Sequence, residues 1–184
     1  MSEIVCVWLT PVSAFYGRRV IIPRWQGVIR RQMAKVDFNV MTGEQPAIEV
    51  LAMMRALYIE DAPASKADHQ RFHLTIERLL AEPSSGRIII FSEGAAILGY
   101  ALLIPFWSNE FGGTLLFVDE LFVKPDARNR GIAHSFFEYL ASERPFDPVA
   151  LALEVSPENE RARRLYESIG FERRRNTMFT YGLA

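Results

Sequence analysis

The chain of 184 residues, 49% hydrophobic and 23% charged, is long enough for one buried core with an appendage. Its net charge of -1 gives no electrostatic reason to bind nucleic acid or an anionic membrane, and no apolar run approaches the roughly 20 residues that span a bilayer. Cys6 is the lone cysteine, which excludes an intrachain disulfide framework and a thiolate metal cluster and makes a reducing cytoplasm the expected compartment.

Residues 1–35 carry six basic residues against the single acid Glu3, so the remaining 149 residues hold 15 basic and 21 acidic side chains, a net of -6. The first 35 show no period of 2 or 3.6 and read as a basic, poorly ordered extension, with Met33 as an alternative start. A transit peptide is the weaker reading, since only Ser2 and Ser13 supply serine, and the run Ile4 to Leu9 lacks the basic lead of a signal peptide. The main domain is taken as 36–184, and its acidity favours small cationic partners over polyanions.

From Val36 the pattern sharpens. Val36 to Val40 alternates as a half-buried strand, and Ile48, Leu51, Ala52, Met54, Arg55, Leu57 and Tyr58 mark a helix that ends before Pro63. A second helix over 66–81 places Phe72, Ile76, Leu79 and Leu80 on one side. Three strands follow, 87–92, 95–105 and 114–123, with links short enough for hairpins. A helix over 131–143 turns Ile132, Phe136, Phe137 and Leu140 inward. The nearly continuous apolar strand 149–155 should be buried on both faces and parallel to its neighbour. Ser156-Pro157 is expected to open the last helix, Gly170 to close it, and a final strand to run over 176–183.

The junction after the strand 114–123 carries the chemistry. Lys124-Pro125-Asp126-Ala127-Arg128-Asn129-Arg130-Gly131-Ile132-Ala133 ends at a helix N-terminus, where unpaired N–H groups and the helix dipole favour phosphate. Gly131 admits close backbone approach, Ala133 stays small, and Arg128 and Arg130 can add charge-assisted bonds to a pyrophosphate. A solvated strand-to-helix turn is the plain alternative. The spacing is neither the P-loop pattern nor the three-glycine dinucleotide fingerprint.

Leu121 to Ala133 resembles the acetyl-CoA pyrophosphate motif of the GNAT-type N-acetyltransferases, Arg/Gln-x-x-Gly-x-Gly/Ala after a strand ending in Val-x-Pro. Asn159-Glu160-Arg161-Ala162-Arg163-Arg164-Leu165-Tyr166-Glu167-Ser168-Ile169-Gly170-Phe171 is similar to that family's Asn-x-x-Ala-x-x-Leu-Tyr-x-x-x-Gly-Phe signature. The resemblance implies an α/β (α+β) GNAT fold, a mixed central sheet flanked by helices and splayed between the strands ending at Val123 and near Val155. The pantetheine arm of acetyl-CoA, the acyl donor, would lie in that gap against main-chain groups of Leu121, Phe122 and Val123. The diphosphate would rest on the amides of Arg130, Gly131, Ile132 and Ala133, with Arg128 and Asn129 in the same turn and Asn159 bracing the cofactor arm.

The resemblance also implies direct transfer to an amine, with Tyr166 beside the sulfur as general acid. By spacing alone Tyr166 is a core aromatic. Asp119 and Glu120 are the candidate bases; strict alternation would point them to opposite faces, and the longer reach of Glu120 favours it. A structural ion pair is the alternative for both. His69 and His73 lie four apart on a helix but lack the glutamate and third ligand of a metal site, so no metal is expected. Phe106 to Gly113 offers aromatics and Glu110 to a cationic amine, and reads equally as a surface hairpin or a homodimer contact. The expected activity is acetyl transfer from acetyl-CoA to a primary amine of a small cationic acceptor. A non-catalytic acyl-CoA-binding module, a protein N-terminus or lysine acetyltransferase, and a nucleic-acid binder acting through the basic extension are the rivals.

Overall fold

The structure, a computed structural model, describes residues 36–43, 46–60 and 69–174; the extension 1–35 and the expected strand 176–183 lie outside the described residues. Within them the chain runs β1 (Asp37–Val40), α1 (Ala47–Glu60), α2 (His69–Ala81), β2 (Arg87–Glu93), β3 (Ala96–Ser108), β4 (Gly113–Val123), a 3-10 turn (Pro125–Ala127), α3 (Ile132–Glu143), β5 (Ala150–Leu153) and α4 (Glu160–Ile169). The strands form one sheet in the order β1-β2-β3-β4-β5. Neighbours are antiparallel except β4 and β5, which run parallel because α3 carries the chain back across the sheet between them.

Each sheet face buries its own core, as alternation along the strands requires. Ile88, Ile90, Tyr100, Leu102 and Phe122 pack under α1 and α2, whereas Ile89, Phe91, Ala101, Leu103, Leu116 and Val118 pack under α3. Phe136 is the centre of the α3 side, fully buried and with its ring 4.8 Å from that of Phe91 and 5.7 Å from that of Phe38. No helix among the described residues is long and apolar enough to cross a membrane.

Two irregularities shape the sheet. The pairing of β2 with β3 slips where Phe91 faces Gly99 and Ser92 faces Ile97, leaving Leu98 as an extra residue. A Cβ on Gly99 would lie 2.3 Å from the Phe122 carbonyl oxygen, so only glycine lets β3 approach the end of β4 this closely. The pairing of β3 with β4 slips at Asp119: Leu103 faces Val118 and Leu102 faces Glu120. Asp119 is therefore a β-bulge, and the pleat reverses across it. Leu116 and Val118 point to the α3 side before it; afterwards Phe122 points to the α1/α2 side and Leu121 and Val123 to the α3 side.

Three expectations need correction. In α1 the buried residues are Val50, Leu51, Met53 and Met54, while Ile48 is 77% exposed; apolar residues nearly encircle this helix, so periodicity alone does not choose its inner face. All four residues of β5 are only half-buried. The last helix begins after Asn159, whose side chain accepts from the Ala162 N–H at 3.0 Å, while Ser156 is engaged with Glu158 in the preceding turn. Gly170, with φ of 104°, closes it as expected.

Candidate active site

The register of β4 and β5 defines an opening. They pair from Leu115 with Ala150 to Val118 with Leu153, and there β5 ends. β4 continues through Asp119 to Val123 with β3 as its neighbour, so among the described residues the other edge of this half has no strand partner. Peptide groups alternate along an antiparallel strand. The Lys124 N–H donates to the Leu98 carbonyl at 2.8 Å, and the Phe122 carbonyl lies against Gly99, so both face β3. By that alternation Leu121 and Val123 present their main-chain groups to the open side. Phe122, expected to do the same, does not. The Val123 carbonyl accepts from Arg128 Nε at 2.8 Å.

The turn into α3 lies at the end of this open edge. Asn129 and Gly131 both adopt left-handed backbone, with φ of 63° and 79°. Gly131 is the N-cap of α3 and supplies no side-chain cap, so the first-turn amides that follow, including those of Ile132 and Ala133, point outward without one. Ile132, fully buried, pins this end of the helix to the core. The arginines behave differently from expectation. Arg128 gives two bonds to the Glu60 carboxylate, at 2.8 and 2.9 Å, and Arg130 gives two to Glu93, also at 2.8 and 2.9 Å. Each guanidinium is thus paired through one nitrogen with a carboxylate, and the uncapped amides lie beside them in the same turn. The Asn129 side chain accepts from Arg161 of α4 at 2.9 Å, tying that helix to the turn.

The bulge gathers a polar cluster on the α1/α2 side of β4. Tyr100 Oη donates to Glu120 Oε2 at 2.7 Å, and the phenol of Tyr58, from α1, also interacts with that carboxylate. Burial raises the pKa of Glu120; the two tyrosine hydroxyls oppose that shift, and Asp119 adds to it. Burial raises Asp119 as well. Both phenols are pushed upward, first by burial and then by Glu120. Strict alternation is broken at Asp119, so the expected opposition of the two carboxylates no longer follows from the strand pattern. Tyr58 and Tyr100 were not legible as site residues, because each reads as an apolar-face aromatic and neither is near Glu120 in sequence.

Tyr166 lies on the inner side of α4, half-buried, its ring edge-on to Phe137 at 6.0 Å and to Phe171 at 5.9 Å. It thus packs on the α3 core, which is also the side of Leu121 and Val123. Asn159 uses its carbonyl oxygen for the cap of α4. The hairpin at Phe106 to Gly113 occupies the other end of β4, six residues and so about 20 Å from the bulge. Trp107 is 71% exposed there, and Glu110 is already paired with Arg174 at 3.1 Å, which reduces its value as an amine receptor. Among the described residues no three His, Cys, Asp or Glu side chains are grouped to hold a metal ion.

A family model described as the acetyltransferase (GNAT) family matches residues 51–171. No curated protein matches the chain by sequence. Solved structures resemble it in fold. A possible acetyltransferase from Clostridium difficile 630 superposes with a TM-score of 0.69 at 17% identity, covering 81% of this chain and 98% of that one. The aminoglycoside N-acetyltransferase AAC(6')-Iy, solved with the bisubstrate analogue CoA-S-monomethyl-acetylneamine, gives 0.66 at 18% identity over 82% and 99%. A ribosomal-protein-alanine N-acetyltransferase from Brucella melitensis biovar Abortus 2308 gives 0.64 at 19% identity over 80% and 100%.

Proposed function

The chain belongs to the acetyltransferase (GNAT) family, and on that premise we propose that it transfers an acetyl group from acetyl-CoA to a primary amine of a small cationic acceptor. The observation that carries this reading is the adjacency of an open β4 edge and an uncapped α3 N-terminus. An open strand edge can take an amide-bearing chain as a substitute strand, and uncapped amides suit a diphosphate. Leu121 and Val123 would hold the pantetheine arm, and the amides from Arg130 to Ala133 the diphosphate. Arg128 would act as a strut between β4 and α1, with Asn129 and Asn159 keeping the turn and α4 in place.

The donor supplies an activated thioester carbonyl. Glu120, assisted by Asp119, takes the proton of the attacking amine directly or through one water. The nitrogen–carbon bond forms and the carbon–sulfur bond breaks. The Val123 N–H donates to the carbonyl oxygen as charge builds on it, and Tyr166 gives its proton to the departing thiolate. Solvent returns the proton from Glu120 to Tyr166, so no covalent enzyme intermediate is required. The preference for a cationic acceptor follows from the paired carboxylates and from the net -6 of residues 36–184. The resembling structures include enzymes named for an aminoglycoside and for a ribosomal-protein alanine; the acidity of this chain favours the small cation.

Coenzyme A release with acetyl-CoA and a panel of polyamines, aminoglycosides, amino acids and peptide N-termini tests the reading. Tyr166→Phe should lower kcat about 10- to 100-fold with little change in the KM of acetyl-CoA. Unchanged amine-dependent turnover in that variant would remove its role as acid. Donor binding without release from any amine would favour the non-catalytic acyl-CoA-binding module.

A further inference from the structure

The core under α1 and α2 contains one feature that packing does not require. Among the described residues Tyr100 is the largest fully buried side chain, and its ring lies 6.3 Å from that of Phe122. Phenylalanine would fill that space equally well, but a buried phenol must find a partner. Its partner is Glu120, at 2.7 Å.

This contact depends on the bulge. Tyr100 faces Phe122 across the ladder, so Glu120 is its diagonal neighbour, within reach of a long side chain on the same face. Val118 points to the α3 side; if β4 alternated regularly through Asp119, Glu120 would point there too, away from Tyr100. The bulge therefore aims Glu120 at the phenol. Tyr58 flanks the carboxylate from α1, Asp119 adjoins it on β4, and Arg71 of α2 acts on Tyr58.

We infer that Tyr100 is a positioning residue: its buried hydroxyl, with the Tyr58 phenol on the flank, fixes the Glu120 carboxylate in the orientation in which it receives the acceptor's proton. The inference rests on the reading of Glu120 as that base. A phenol donating to one carboxylate oxygen stabilises the ionised form and fixes the direction in which the carboxylate presents its remaining lone pairs. The two phenols thereby offset part of the rise that burial imposes on the Glu120 pKa.

Two measurements on the full chain test this. The first follows the Glu120 carboxyl by carbon-13 NMR in glutamate-labelled protein, assigned with Glu120→Gln. Removing the donor with Tyr100→Phe should move its titration midpoint upward, and Tyr58→Phe should move it the same way to a smaller extent. The second is the pH dependence of kcat/KM, whose acid limb should move upward in step, with a loss of about tenfold on that limb for Tyr100→Phe. A purely structural tyrosine would lower the thermal midpoint without moving either profile.

A midpoint that stays or falls in Tyr100→Phe overturns the inference. If that variant does not fold, the same result in Tyr58→Phe overturns it. A midpoint that moves while the acid limb stays shows a clamped carboxylate that is not the base, which also overturns it but leaves acetyl transfer standing. Absence of turnover in the unaltered protein instead removes the functional reading, and the positioning role with it.

Discussion

At Glu120 two demands pull against each other. Burial favours the protonated carboxyl, whereas taking a proton from an amine needs the ionised one. A carboxyl whose folded pKa is raised binds more protons in the native chain than in the unfolded one between the two values. Its contribution to stability is then largest below the ordinary glutamate value and falls as pH rises through the raised one. Glu120→Gln removes the charge and keeps an acceptor for Tyr100. Its thermal midpoint should therefore exceed that of the parent at about pH 8 and converge with it at about pH 4, while kcat falls about 100- to 10,000-fold. Calorimetry at both pH values and a coenzyme A release assay check the two halves. Asp119 and Glu120 stood out as candidates through the resemblance, which implies an acidic pair in the strand before the cofactor turn. The sequence did not mark their tyrosine partners, because a bulge reverses the pleat without any residue type that announces it.

Among the elements, the turn into α3 carries the most function in the fewest residues. Its glycine has φ of 79°, which costs any residue with a Cβ about 1 kcal/mol. Gly131→Ala should lower the thermal midpoint by several degrees and raise the KM of acetyl-CoA several-fold, leaving the KM of the amine nearly unchanged. A shift confined to the amine would detach this turn from the donor. Most elements were legible from period and punctuation: the inward stripe of Ile132, Phe136, Phe137 and Leu140 has one apolar face and so one way to pack. α1 was less legible because its apolar residues leave no single face. The start of α4 was displaced because Ser156-Pro157 and Asn159 are both acceptable openings, and only the hydrogen bond to Ala162 distinguishes them.

Taken whole, the chain builds a sheet with a core on each face, and the parting of β4 from β5 interrupts its lateral order. The mixed fold class was readable in the sequence from hairpin links followed by a helical crossover. The point of parting was expected through resemblance to other proteins, because nothing in an apolar strand reveals where its neighbour stops. That point has a thermodynamic consequence. Peptide groups without a strand mate are a latent seam, and whatever chain fills it first benefits. A donor that occupies the seam in the native state alone should raise the melting midpoint with concentration, by an amount worth about 2.7 kcal/mol at a hundred times its dissociation constant. Scanning calorimetry against coenzyme A checks this. Purified without nucleotide, the protein should self-associate more readily on storage, and added coenzyme A should act as its preservative by denying sister molecules the same berth.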